Sequence, residues 1–255
     1  MNYRIFPLGE NAVTIDFGSE ISLALNDKVL RLADRLARNS FAGFVELVPA
    51  YSSLTVFYDV FAVRKNFPAF DTAFEAVKDF LENALENSVE EIESAEPRLV
   101  KIPVSFAEDA ALDLELVAAE NNLTRAEVIR IFLSKTYRVF MLGFLPGFAY
   151  MGEIDERIAA PRKPAPRLKV PRGSVGIAER QTGVYPFESP GGWQIIGRTG
   201  IELFTPDAVN PTVLQPGDLV RFYEDQEIFT TRTRRTQRKK EIGRDGQASR
   251  LDEKG

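Results

Sequence analysis

The chain has 255 residues, room for two domains each with its own core, and its 44% hydrophobic and 27% charged residues are those of a globular protein. It has no Cys and no His, which removes disulfides, thiolate nucleophiles, zinc fingers, imidazole acid–base chemistry and His-ligated metals. The net charge of −5 is uneven, because Thr231–Gly255 carries nine Lys/Arg against four Asp/Glu and the rest of the chain is acidic. No apolar run approaches 18 residues and Met1–Phe6 lacks the apolar core of a signal peptide, so the expectation is a cytoplasmic protein with no membrane partner.

In chain order, Tyr3–Leu8 and Ala12–Phe17 read as strands joined by the turn Gly9-Glu10-Asn11. Leu25, Val29, Leu32 and Leu36 then recur on one helix face. Phe44–Val48 and Leu54–Tyr58 are two further strands, and Phe70, Phe74, Val77, Leu81 and Leu85 form a second helical stripe. Two helices on one face of an antiparallel sheet predict an α+β sandwich of ferredoxin-like character over residues 1–96, closed by the acidic stretch Glu90–Glu96 before Pro97.

Leu99–Val104 reads as a strand, followed by short helices over Asp113–Glu120 and Arg125–Ser134. The second helix opens with the capping box Thr124-x-x-Glu127. Beyond Tyr137 helical periodicity ends, and the runs Tyr137–Leu142, Ser174–Ala178, Gln194–Arg198 and Leu219–Tyr223 alternate with Gly/Pro clusters. This predicts a compact, mainly-β barrel domain over 97–226. Residues 227–255 have too little apolar surface to offset their ordering entropy and read as a disordered basic tail, a solubilising appendage with no nucleic-acid partner indicated.

The chemistry-bearing strings lie between Gly143 and Gly217. Gly143–Gly152 combines turn formers with Phe144, Pro146, Gly147, Phe148 and Tyr150, and reads either as a ligand loop walled by aromatics or as a β-turn with core aromatics. Pro161-Arg162, Pro166-Arg167 and Pro171-Arg172 set arginines at a period of five in a segment expected to be extended. A guanidinium is a good fork for carboxylate or phosphate, yet Arg162 and Arg167 would stand about 16 Å apart on a straight strand and share no small anion unless the loop folds back. The alternative is a solvated connector. Gln181–Pro186 (with Tyr185) and Ser189-Pro190-Gly191-Gly192-Trp193 follow, where Gly191-Gly192 suits a positive-φ turn with amides facing an anion, and Trp193 suits a core position. No G-x-x-x-x-G-K-[ST] or G-x-G-x-x-G phosphate loop occurs.

Taken in order, Gly143-Phe-Leu-Pro-Gly-Phe-Ala-Tyr-Met-Gly152, the Pro-Arg repeats, Val170-Pro-Arg-Gly-Ser-Val-Gly-Ile-Ala178, Gln181-Thr-Gly-Val-Tyr-Pro186, Ser189-Pro-Gly-Gly-Trp-Gln-Ile-Ile-Gly-Arg-Thr199 and Pro216-Gly-Asp-Leu-Val-Arg-Phe222 resemble the PxpB family of 5-oxoprolinase components, also called allophanate hydrolase subunit 1 or the KipI family. Glu46–Thr55 and Ile102-Pro-Val104 are similar to it as well, and the resemblance spans residues 3–224. It implies a small α/β domain followed by a cyclophilin-like barrel. It also implies ATP-dependent conversion of 5-oxoproline to glutamate together with a homologous cyclophilin-like partner, PxpC, and a separate partner, PxpA. On the same resemblance ATP is a cosubstrate held on or shared with the partners, and this chain holds no metal. The alternative it implies is inhibition of a sensor histidine kinase. On this resemblance Arg162, Arg167, Gln181 and Tyr185 are the expected catalytic residues. Phe144, Pro146, Gly147, Phe148, Tyr150, Ser189, Pro190, Gly191, Gly192, Trp193 and Arg198 are the expected substrate-binding residues. Phe132 stands where the family usually carries a His.

Overall fold

The structure, a computed structural model, describes residues 3–86 and 96–225. The basic tail at 227–255 and residues 90–95 of the acidic stretch lie outside the described residues. The chain gathers into two compact units. The first runs from the N-terminus to Arg98 and adds Val139–Gly143 and Gln215–Asp218; the second takes Leu99–Arg138, Phe144–Leu214 and the chain from Leu219.

In the first unit the order is β1 (Arg4–Pro7), β2 (Ala12–Asp16), α1 (Leu23–Arg38), β3 (Phe44–Pro49), β4 (Ser53–Tyr58), α2 (Val60–Asn66) and α3 (Ala73–Glu86). The sheet order is β1-β2-β4-β3 with every neighbour antiparallel, so β2 and β3, joined by α1, run parallel with β4 between them. Alternation along β4 sends Leu54, Val56 and Tyr58 inward, where they meet Val13 and Ile15 of β2, Val29, Leu32 and Leu36 of α1, and Val77 and Leu81 of α3. Phe70 packs on this core from outside the helix. α3 starts later than its apolar stripe suggests because Thr72 and Glu75 form a reciprocal cap, Thr72 Oγ1 accepting from the Glu75 N–H at 3.1 Å and Glu75 Oε2 accepting from the Thr72 N–H at 3.0 Å.

Beyond Arg98 the elements are β5 (Leu99–Val104), α4 (Leu114–Glu120), α5 (Arg125–Leu133), β6 (Tyr137–Leu142), β7 (Ala149–Gly152), β8 (Arg167–Val170), β9 (Ser174–Ala178), β10 (Gln181–Val184), β11 (Ser189–Gly191), β12 (Gln194–Arg198) and β13 (Leu219–Glu224), all of the second unit except residues 139–142 of β6. Seven of these form a mixed sheet in the order β12-β9-β10-β7-β6-β13-β5, with β13 and β5 parallel, and β11 pairs separately with β8. The two ends of the seven-stranded sheet meet: Ser105 and Arg198 exchange backbone hydrogen bonds of 2.8 and 2.9 Å. Gly197 permits this approach, since a Cβ there would stand 2.6 Å from Val104 Cγ1. The sheet is thus a nearly closed barrel.

α5 begins at the expected capping box, which is fully formed at Thr124 and Glu127. Its Phe132 is wholly buried and stacks on Tyr137 (centroids 5.2 Å apart) and Phe222 (5.0 Å). Among the described residues no helix is long and apolar enough to cross a membrane.

Candidate functional site

Three strands of the second unit each carry a glycine where an aromatic ring needs the space. A Cβ on Gly183 of β10 would stand 2.9 Å from the Phe148 ring, one on Gly191 of β11 2.5 Å from Tyr185 Oη, and one on Gly176 of β9 3.1 Å from Trp193 Cβ. Into that space fall five aromatic rings packed edge to face. Phe148 lies 4.9 Å from Tyr150, 5.3 Å from Tyr185 and 5.5 Å from both Trp193 and Phe144. Such geometry sets a positive ring edge against a negative ring face. Phe148, Tyr185 and Trp193 are buried, Tyr150 is half-buried, and Phe144 is 59% exposed.

Beside the rings lies an ionic hub. Asp113, 4% exposed, immediately precedes α4 but leaves that helix uncapped. Its carboxylate instead accepts two hydrogen bonds from Arg167 (2.5 and 2.7 Å), one from Lys163 Nζ (2.8 Å) and one from the Ile195 N–H (2.7 Å). Four donors fill a carboxylate's acceptor positions. Burial works to raise the Asp113 carboxyl, but Arg167, Lys163 and the Ile195 amide outweigh it and hold the group below the usual carboxylate range.

The same contacts correct the expectation of an extended 161–171 segment. Lys163 and Arg167, four residues apart, reach one carboxylate because the chain folds back between them. The Lys163 N–H donates to Gly192 O at 2.7 Å, Gln194 Nε2 donates to Pro161 O at 3.0 Å, and only Arg167–Val170 is strand. With the segment turned, Arg162 places its guanidinium carbon 6.0 Å from the centre of the Trp193 ring. The arginines are therefore not separated along a straight strand, and their tasks differ: Arg167 is ion-paired, whereas Arg162 lies over an indole.

A second correction concerns Gly191-Gly192. Neither residue has positive φ, so the alternating conformation of an anion-binding turn is absent there. Gly191 is required by the close approach of Tyr185, and it faces Arg167 across the β11–β8 pair. Positive φ occurs instead at Phe144 (69°) and Gly147 (81°), where a side chain on Gly147 would meet Phe204 Cβ at 2.9 Å. The Gly143–Gly152 string is both of the things it could be: Phe144 and Pro146 stand exposed on a turn, while Phe148 is core and Ala149–Gly152 is strand β7.

The other expected residues spread more widely. Ser189 is buried with Oγ donating to Pro190 O at 3.2 Å, and Pro190 is exposed. Gln181 opens β10, and alternation puts it on the face that carries Gly183. Arg198 closes β12 at the barrel seam, at the opposite end of that strand from the Trp193 side, with Nε donating to Arg172 O at 2.9 Å. Burial raises the Tyr185 phenol above its ordinary value against the pull of a hydrogen bond with the Trp193 backbone and of Arg162 and Arg167. Burial likewise raises Tyr150, opposed by Arg162.

These residues fall within the span that matches a known family, carboxyltransferase domain, subdomain C and D, over residues 3–214. The chain is 46% identical over 223 residues to the 5-oxoprolinase B subunit of Bacillus subtilis, covering 87% of this chain and 92% of that one. It belongs to the 5-oxoprolinase B-subunit family. The member of this family from Escherichia coli O157:H7 is 38% identical over 88% of this chain and 97% of its own length. Among solved structures, the protein TTHA0988 superposes with a TM-score of 0.71 at 33% identity, over 84% of this chain but 40% of that longer one.

Asp113 and Lys163 are residues of the candidate site in this 5-oxoprolinase family member that sequence reasoning missed, Asp113 being the centre of the hub. Its partners lie 50, 54 and 82 residues away, beyond any local pattern. One signal was available: Ala110-Ala-Leu-Asp113-Leu114 sets a single acid in an apolar run, where an uncompensated charge would be costly.

Proposed function

We propose that the chain is a non-autonomous component of an ATP-dependent 5-oxoprolinase, a cytoplasmic assembly in which it opens 5-oxo-L-proline to L-glutamate together with PxpA and PxpC. The observation that carries this is the 46% identity to the Bacillus subtilis 5-oxoprolinase B subunit over 92% of that protein, a match that takes in both units and the whole aromatic site. We assign the first unit to a ferredoxin-like sandwich, because β2-α1-β3 with β4 inserted is a split β-α-β, and the barrel to the cyclophilin-like class.

A five-membered lactam is a resonance-stabilised amide; transfer of a phosphoryl group from ATP to its oxygen lets water add to the ring carbon and the C–N bond break, with the phosphoryl group then lost as phosphate. In this reading ATP is held on, or shared with, the partners. What this chain contributes is placement and electrostatics. The exposed edge of the ring cluster, at Phe144 and Tyr150, offers apolar faces to a flat ring and keeps water from it. Lys163, Arg167 and Arg162 against the single Asp113 leave an excess of positive charge that favours an anionic substrate and the charge developing on its oxygen. Tyr185, kept protonated at neutral pH, braces Trp193 through its backbone.

The test is reconstitution: 5-oxoproline and ATP are incubated with this chain alone, with PxpA and PxpC alone, and with all three, and glutamate is quantified with ADP. Glutamate is expected only from the complete mixture. Robust turnover by the chain alone overturns the non-autonomous reading, and an inactive complete mixture overturns the reading as a whole.

A further inference from the structure

Three cations come from one short segment, and two of them are already engaged. Lys163 and Arg167 donate to a carboxylate whose acceptor positions are full, so neither offers a free fork to a ligand. Arg162 is different. Among the described residues it has no hydrogen-bond or ion-pair partner; it is exposed, and its guanidinium lies over Trp193. Its backbone is fixed on both sides, by Gln194 at the Pro161 carbonyl and by Gly192 at the Lys163 amide.

We propose that Arg162 is the carboxylate receptor of this site, binding the single carboxylate of a flat-ringed monoanion, while Asp113, Lys163 and Arg167 form the anchor that aims it. This rests on the 5-oxoprolinase reading and names the group that reads the substrate's charge. A planar guanidinium pairs with one carboxylate through two parallel N–H···O bonds, and a place over the indole, 6.0 Å from its centre, leaves its N–H edge free. Holding the backbone in advance lowers the ordering cost of binding. One free guanidinium suits a monocarboxylate rather than a di- or triphosphate, which would call on the two cations that Asp113 holds. Tyr150, half-buried and edge to face on Trp193 with ring centres 5.8 Å apart, supplies a partly open aromatic surface for the ring to which the carboxylate is attached.

Trp193 is the only tryptophan in the chain, so its emission reports the site directly. The full chain is titrated with 5-oxoproline, with 2-pyrrolidinone (the same lactam without the carboxylate) and with cyclopentanecarboxylate. In parallel, KM and kcat for 5-oxoproline are measured on the three-component mixture. The wild-type chain is expected to bind 5-oxoproline about 10- to 100-fold more tightly than 2-pyrrolidinone, the value of one charge-assisted pair. Arg162→Gln is expected to abolish that preference and to raise KM by a similar factor with kcat largely held and the melting temperature unchanged. Arg167→Gln is expected to weaken the preference less than Arg162→Gln does and to lower the melting temperature. Equal binding of both lactams by the wild type, or an unchanged KM in Arg162→Gln, overturns the proposal. So does a folded Arg167→Gln that loses the preference as fully as Arg162→Gln while Arg162→Gln leaves KM unchanged. If the complete mixture makes no glutamate, the 5-oxoprolinase reading fails on its own. The chain's emission then decides alone: cyclopentanecarboxylate binding that Arg162→Gln removes upholds the carboxylate site, and binding that is absent or survives the substitution overturns it.

Discussion

The second unit contains two aromatic clusters built in opposite ways. Phe132, Tyr137 and Phe222 are all buried; Phe132 stacks on both partners with interplanar angles of 29–30°, and the Tyr137 hydroxyl donates to the Phe132 carbonyl at 2.7 Å. Phe144, Phe148, Tyr150, Tyr185 and Trp193 stand edge to face, fitted around glycines, with a saturated ionic hub beside them and two rings open to solvent. The first cluster has every polar group satisfied by its own neighbours and leaves no surface for a ligand. The second holds its rings around missing side chains, a buried carboxylate and a strained exposed Phe. Natural sequences accept such departures where a site is being held.

The contrast can be broken by substitution. The largest expected loss is from Phe132→Ala, about 3–5 kcal/mol as a fully buried ring is removed, measured by urea unfolding. A neutral result would dissolve the stacked cluster as a stability element. Asp113→Asn comes next, at about 3–5 kcal/mol or somewhat less if water reaches Arg167, because it strands two half-buried cations. Its pH signature separates it from simple packing loss. The folded carboxyl titrates below its ordinary value, so its contribution is complete above about pH 4 and is lost as pH falls through the folded value. The gap between wild type and Asp113→Asn should therefore close on acidification below about pH 4. A pH-independent gap would mean the charge is not what Asp113 provides.

Smaller effects sharpen the same contrast. Gly191→Ala sets a methyl against Tyr185 Oη and should cost about 1–3 kcal/mol as overpacking, together with a change in Trp193 emission as Tyr185 shifts. The smallest stability effect is expected from Phe144→Gly. Phe144 buries little and carries the strain of a positive φ, so glycine should leave the protein as stable or more stable by about 1 kcal/mol, while substrate use by the assembly falls. A marked drop in melting temperature would make Phe144 a core residue rather than part of the site's rim.

Much of the fold was legible locally. The bounds of Leu99–Val104, Tyr137–Leu142, Ser174–Ala178 and Gln194–Arg198 followed from short apolar runs, and the Thr124–Glu127 box fixed the start of α5. What escaped was short or non-local. α2 is a seven-residue helix begun by an Asp59 cap, too brief to show periodicity, and β7, β8, β10 and β11 are hidden in strings where Gly and Pro read as turns. The five rings were visible as residues, but the reason for Gly176, Gly183 and Gly191 was not, since Gly176 and Gly183 are set by rings 17 and 35 residues away and Gly191 by the fold of the loop that carries Tyr185. The fold-back at 163–167 depends on Asp113, 50 residues upstream, and no alternation pattern encodes that.

One measurement compares the clusters on equal terms. Trp193→Leu and Phe132→Leu each replace a buried aromatic by the same aliphatic residue, and kcat/KM for 5-oxoproline is read in the three-component mixture at a temperature where both variants are folded. The expected result is a loss of more than about tenfold for Trp193→Leu and less than about twofold for Phe132→Leu. Equal losses, or a larger loss from Phe132→Leu, would contradict the placement of the site on the glycine-fitted cluster.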